Sequence, residues 1–322
     1  MRNFTLSGLI PAVITPMTAE GEVCEPNLRR YIRWLLAHEG LGGVAINADT
    51  GEGPHLTPAE RRRVLDIWVE EVNGRIPVIA GLGGPSTDAA TAGARSAAEA
   101  GADALLVFPI PAYLGHPLDP EVPYSYHSAI EEAAGLPMVA FQLQPALGGV
   151  LFDNACLTRL LSIESIVAIK EASFDSVEFI RVRDLLRRLP RPVTLLTGND
   201  NFIYESFVLG AQGALIGFGT LAVNENIAMI RAAMDGQWSA AERYNEVVGP
   251  LAQSIFRAPV RNYRARTKYA LWLMGVVDGY AVRPPLLPLS DSARDRVRVA
   301  MESAAQLAPS ALETAAPAAA IV

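Results

Sequence analysis

Along the chain, short apolar runs rich in Val, Ile, Leu and Ala are separated by longer stretches in which apolar residues recur at three- and four-residue spacing. The first kind reads as buried strand and the second as amphipathic helix. Strands are expected at Leu9–Thr15, Gly43–Asn47, Pro77–Gly81, Ala104–Phe108, Pro137–Gln142, Ile166–Ile169, Val193–Thr197 and Ala214–Phe218. A helix-like stretch follows each. Pro26–His38, for example, puts Leu28, Tyr31, Ile32 and Leu35 on one face and stops before Gly40. Thr57-Pro58-Ala59-Glu60 reads as a helix start, with Thr57 as cap, Pro58 at the first position and Glu60 completing a capping box. The unit recurs roughly every 30 residues, which is the βα unit of a parallel fold.

Eight such units predict an α/β protein, a (β/α)8 TIM barrel, over an open doubly wound sheet. Gly81-Leu82-Gly83-Gly84 does not form GxGxxG after the first strand, so it reads as a tight turn and not as a dinucleotide loop. After the eighth unit, Ser239–Phe256, Arg261–Met274 and Ser290–Leu307 are helix-like and carry no strand signal. The expected organisation is therefore a barrel over residues 1–236 and C-terminal helices packed on it over 237–308. Residues 309–322 form an Ala-rich tail, frayed or disordered.

Half of the 322 residues are hydrophobic, enough for a large core, and the net charge is -7. No Lys/Arg cluster alternates with aromatics, which argues against nucleic-acid binding. Arg61-Arg62-Arg63 sits in a helical pattern beside Glu60 and Asp66 and reads as a solvated face. No apolar run reaches membrane-spanning length, and Met1–Ser7 shows no secretory signal. Cys24 and Cys156 are far apart, and His38, His55, His116 and His127 lack HxH or HExxH spacing, so neither a disulfide framework nor a metal site is expected. A cytoplasmic, reduced, soluble protein fits this composition.

Chemistry enters at Ser165–Ser173. Lys170 follows the buried run Ile166–Ile169. A lysine where a buried strand opens into a cleft has its neutral amine favoured by desolvation, and that amine can attack a carbonyl to form a Schiff base. The alternative is a strand-end lysine that snorkels to water or pairs with Glu171. In a parallel barrel the active groups lie at the C-terminal ends of the strands. That rule selects Thr15, Asp49, Thr50, Tyr113, Phe141, Gln142, Gln144, Lys170, Glu171, Asn199 and Asp200. Lys170 is the single lysine among them, and the chain has only one other, Lys268, against many arginines. Where arginine supplies ordinary surface charge, a lysine at the barrel mouth points to amine chemistry.

Several stretches together resemble the dihydrodipicolinate synthase / N-acetylneuraminate lyase family. They are Gly8–Pro16, Thr50-Gly51-Glu52 with Leu56–Arg61, Pro77–Gly83, Gly101–Val107, Arg283-Pro284-Pro285 and, most specifically, Val167-Ala168-Ile169-Lys170-Glu171-Ala172-Ser173. The resemblance implies a barrel with C-terminal helices and a homo-oligomer, dimer or tetramer, commonly a homotetramer. It also implies class I aldolase chemistry on 2-oxo acids, without metal or organic cofactor, with Lys170 as the Schiff-base lysine. It places Asp49, Thr50, Gly51, Phe141, Tyr113, Gly198 and Leu215 around the substrate, with Thr50 and the amides near Gly51 holding its carboxylate.

The departures are as informative. Asp49 stands where the family has a first hydroxyl, and an ionised carboxylate there would repel a substrate carboxylate. Phe141 falls at the position of the proton-relaying tyrosine and cannot transfer a proton. Ala146 falls where the synthases have an arginine. Three replacements for the relay are open: Tyr113, Asp49, or a water held by Gln142 or Gln144. The expectation is a Schiff-base lyase acting on a 2-oxo acid or other small carbonyl compound through Lys170, and not the synthase itself. The alternatives are a dehydratase or hydratase on a sugar-derived acid, and a non-catalytic metabolite-binding relative.

Overall fold

The computed structural model describes residues 6–115 and 117–307. The expected tail at 309–322, His116 and the first five residues lie outside them. The apolar runs form β1 Gly8–Pro11, β2 Val44–Ile46, β3 Val78–Leu82, β4 Ala104–Val107, β5 Met138–Leu143, β6 Ile166–Ala172, β7 Thr194–Thr197 and β8 Gly213–Ile216. The helices between them are α1 Glu25–Leu36, α2 Pro58–Val72, α3 Thr87–Ala100, α4 Glu121–Ala134, α5 Asn154–Leu160, α6 Ser176–Leu186, α7 Ile203–Val208 and α8 Val223–Met234. Then come α9 Trp238–Ile255, α10 Tyr263–Leu273 and α11 Asp291–Leu307. Among the described residues no helix is long and apolar enough to cross a membrane.

All neighbouring strands run parallel, in the order β1-β8-β7-β6-β5-β4-β3-β2. Single bridges from Leu9 of β1 to Leu41, ahead of β2, and from Ala12, just past β1, to Ala45 of β2 close the barrel. The first strand was expected to run to Thr15, but β1 ends at Pro11. Beyond it Ala12 N donates to Ile216 O at 2.8 Å and Val13 N to Ala45 O at 3.1 Å, so successive residues turn to opposite neighbours. The sixth strand shows the opposite difference. β6 continues through Lys170 to Ala172, because Phe141, Gln142 and Leu143 of β5 pair with Lys170, Glu171 and Ala172.

Side chains alternate across each strand. Ile10, Ile79, Leu106, Val139, Ala168 and Leu196 fill the barrel interior, while residues such as Leu105, Ala140, Ile169 and Leu195 pack outward against the helices. The capping box at Thr57 is formed: Glu60 N donates to Thr57 Oγ1 and Thr57 N to Glu60 Oε2. Ser86 caps α3 through Ala89 N.

The C-terminal helices are tied to the loop after β2. Lys268 of α10 and Glu52 form a fully buried ion pair. Arg283 N donates to Glu52 Oε2 at 2.7 Å, and the Arg283 guanidinium clamps both carboxylate oxygens of Glu60. These contacts bring the first turn of α10 over the barrel mouth.

Candidate active site

Lys170 lies on the inward face of β6, between the inward residues Ala168 and Ala172. It is 7% exposed, and among the described residues its amine makes no hydrogen bond and no ion pair. Burial drives its pKa down to about 8, against the opposing pull of the Asp200 and Asp49 charges. The ring of Phe141, opposite on β5, lies 4.4 Å from Nζ and forms an apolar wall. Gly198, which follows β7, leaves room for the side chain: a Cβ there would sit 2.6 Å from Lys170 Cε and 2.8 Å from Ala172 Cβ. Gly198 N donates to Glu171 O at 2.6 Å, which fixes that approach.

Lys170 and Glu171 part company because they are adjacent on a strand. Glu171 points outward, where Ser173 N and Asn199 Nδ2 donate to its carboxylate at 3.0 and 2.6 Å. The sequence alternative of a Lys170–Glu171 pair is therefore not formed. Gln142 also faces outward. It donates to Glu178 Oε1 at 2.8 Å and accepts from Phe152 N at 3.1 Å, so it is committed to the barrel wall and not to a water in the site.

The loop after β2 supplies the other side. Thr50 is buried, and its Oγ1 lies 3.3 Å from Tyr263 Oη. Tyr263 Oη donates to Asp49 Oδ2 at 2.7 Å. Arg264 Nε donates to the Asp49 backbone oxygen at 2.9 Å, and its Nη2 donates to Asp49 Oδ1. Asp49 is thus ion-paired with a buried guanidinium. The Gly51 amide, expected to hold the substrate's carboxylate, donates to Ala48 O at 3.1 Å and is used in closing the turn.

Asp200, on the loop after β7, is buried and accepts from Phe218 N at 2.7 Å. Burial raises its pKa to about 7, although the Phe218 amide and Lys170 favour the carboxylate. Leu215 is part of the apolar barrel interior. Tyr113 is placed elsewhere. It packs between barrel and helices against Tyr126 and Phe152, and not with the residues around Lys170. The physical reason is that Pro111–Tyr113 forms a short helical turn that lays the ring on α4. A cavity of about 680 Å³ opens beside the mouth, lined there by Asp49, Phe108, Leu143, Leu147 and Arg264.

Tyr263 and Arg264 were not foreseen. Sequence spacing assigns them to a helix beyond the barrel, and only the buried Glu52–Lys268 pair one helix turn later shows that this helix reaches the mouth. The one available signal was negative: Asp49 needed a cation, but any of many arginines could have supplied it.

The comparisons with known proteins agree with this fold. The model of the dihydrodipicolinate synthetase family matches residues 5–304. This chain belongs to that family. The 4-hydroxy-tetrahydrodipicolinate synthase of Azoarcus sp. (strain BH72) is 35% identical over 93% of this chain and 98% of its own length. The enzyme of the same name from Thioalkalivibrio sulfidiphilus is 34% identical over 92% and 97%. Among solved structures, a chloride-inhibited dihydrodipicolinate synthase from Acinetobacter baumannii, complexed with pyruvate, superposes with a TM-score of 0.82. It is 29% identical and covers 94% of this chain and 99% of that one. As a member of the dihydrodipicolinate synthetase family, the protein is a lyase of the class I aldolase type that acts on a small molecule.

Proposed function

We infer that Lys170 is the nucleophile of this lyase, forming an imine with a 2-oxo acid or another small carbonyl compound. The observation that carries the reading is a buried amine at the barrel mouth that makes no direct ion pair, with burial lowering its pKa. With that pKa at about 8, roughly a tenth of it is neutral at pH 7, far more than of an ordinary lysine, and the neutral amine is the form that attacks a carbonyl. The substrate's carbonyl carbon would bond to Lys170 beside the Phe141 wall, with its polar end toward Thr50 and Arg264. Arg264 offsets the Asp49 charge that would otherwise repel a carboxylate.

The reaction we assign is not the synthase reaction that gives the relatives their name. Phe141 has no hydroxyl for proton relay, and exposed Ala146 has no charge with which to bind a second carboxylate. An imine also acidifies the neighbouring carbon, so dehydration of a sugar-derived acid belongs to the same reading. A cytoplasmic homo-oligomer is part of it too, supported by the exposed Trp272 stacked on Tyr269 beside Tyr280. Because the family includes a monomeric synthase variant, solution mass decides that point.

The test is borohydride reduction in the presence of pyruvate, longer 2-oxo acids, sugar acids and aromatic aldehydes, followed by intact mass and peptide mapping. A reduced adduct on Lys170 is expected, and the compound that gives it names the substrate class. Adducts on other residues, or none from folded protein, would remove Lys170 from this role. Synthase turnover at the relatives' level would overturn the exclusion of that reaction.

A further inference from the structure

Class I chemistry moves a proton to and from the carbon beside the imine, and Phe141 cannot do so. The structure also engages two of the replacements that the sequence allowed, Tyr113 and Gln142, away from Lys170. Tyr113 lies in the outer layer against Tyr126 and Phe152, and Gln142 is held by Glu178 and Phe152. One hydroxyl at the mouth remains paired with a carboxylate. We propose that Tyr263, with Asp49 behind it, is the proton-transfer pair of this enzyme. The proposal rests on imine formation at Lys170.

The pair is built and held. Tyr263 Oη donates to Asp49 Oδ2 at 2.7 Å and lies 3.3 Å from Thr50 Oγ1. The Tyr263 ring stacks on Phe256 with centroids 4.4 Å apart and planes at 22°. Gly217, which follows β8, lets the barrel close on it: a Cβ there would come 3.2 Å from Tyr263 Cε2 and 2.9 Å from Thr50 Oγ1. Arg264 fixes the far oxygen and the backbone oxygen of Asp49, which leaves Oδ2 to the tyrosine. Asp49 lies close enough to Lys170 for its charge to favour the ammonium form, so pair and nucleophile share one end of the barrel. Burial and the Asp49 charge raise the Tyr263 pKa, which keeps the hydroxyl protonated at neutral pH.

The step balances within the site. The C–H bond beside the iminium breaks, and its electron pair forms the enamine C=C as the iminium nitrogen becomes neutral. The proton forms a new O–H bond on Tyr263 while the tyrosine's own proton passes to Asp49 Oδ2. The reverse transfer protonates the enamine left by bond cleavage. No oxidant or other co-reactant is needed.

The experiment uses the full chain in D2O with pyruvate and the other carbonyl compounds of the trapping panel, and reads two quantities. Borohydride trapping reports the imine, and mass spectrometry of the recovered compound reports exchange at the adjacent carbon. Tyr263→Phe keeps the stacked ring and removes the hydroxyl. It is expected to trap on Lys170 as the wild type does and to slow exchange about 100-fold or more. Asp49→Asn can still accept the tyrosine's hydrogen bond but cannot take its proton, and it is expected to show the same loss. Wild-type exchange rates in either variant, with trapping intact, would overturn the pair. Absence of any Lys170 adduct in the wild type would instead overturn the imine reading beneath it.

Discussion

Lys170 Nζ lies 4.4 Å from the centre of the Phe141 ring, its register partner on the neighbouring strand. An aromatic face favours the ammonium form. Burial in the apolar interior opposes it and wins, because the pKa falls to about 8. The contrast is Lys268, the only other lysine. It is buried too, yet it meets the Glu52 carboxylate directly. One lysine is stored as an ion pair that holds the fold; the other is kept unpaired.

The pH dependence of trapping follows from these charges. The neutral amine reacts, so the initial rate of imine formation rises with pH and levels off above about 8. Asp200 is the larger of the two charges that hold the Lys170 pKa up, and it ionises only above about 7 because burial raises its own pKa. Asp200→Asn retains an oxygen for the Phe218 amide and removes the charge. Its trapping curve is therefore expected to move to lower pH, with no difference from wild type well below pH 7. A shift to higher pH, read by adduct mass against time, would contradict this account.

Gly198→Ala tests the space around the amine. The added Cβ would lie 2.6 Å from Lys170 Cε and 2.8 Å from Ala172 Cβ, and only the lysine's end has freedom to move. We expect about 1–3 kcal/mol of lost stability by urea unfolding, the usual cost of overpacking. The rate of adduct formation should fall at least tenfold, roughly 1.4 kcal/mol or more in the barrier.

Lys268→Met tests the attachment of α10. It leaves the Glu52 carboxylate buried and uncompensated, which costs about 3–5 kcal/mol. The urea midpoint should fall accordingly. Because this pair sets the position of Tyr263 and Arg264, exchange at the carbon beside the imine should fall even where the variant remains folded and still forms the Lys170 adduct.

Arg264→Gln leaves Asp49 with the Tyr263 hydrogen bond but without its cation. A substrate carboxylate then faces an uncompensated negative charge, and KM for a trapped 2-oxo acid is expected to rise about tenfold or more, equivalent to roughly 1.4 kcal/mol. An uncharged carbonyl compound should show a much smaller change. Equal effects on both compounds, by steady-state kinetics, would mean that Arg264 acts through folding alone.

The strand–helix alternation and the position of Lys170 were legible in the chain because they depend on local periodicity and on the rule that barrel sites lie at strand ends. The departures at Asp49 and Phe141 were legible as well, since each changes the chemistry of a single position. Which way a residue faces depended on where its strand ended. The sixth strand continues past Lys170, and that pairing sends Lys170 inward and Glu171 and Gln142 out to the wall.

By itself, the sequence determined the eight-unit barrel, the family and the lysine. Tertiary structure alone decided what stands beside that lysine. Tyr263 meets Asp49 across 214 residues of chain, and no periodicity encodes that distance. The meeting is fixed by a buried carboxylate's need for partners, which Arg264 and Tyr263 meet at Asp49 and Lys268 at Glu52. Such a need constrains the folded surroundings and leaves no mark in the local pattern of either segment.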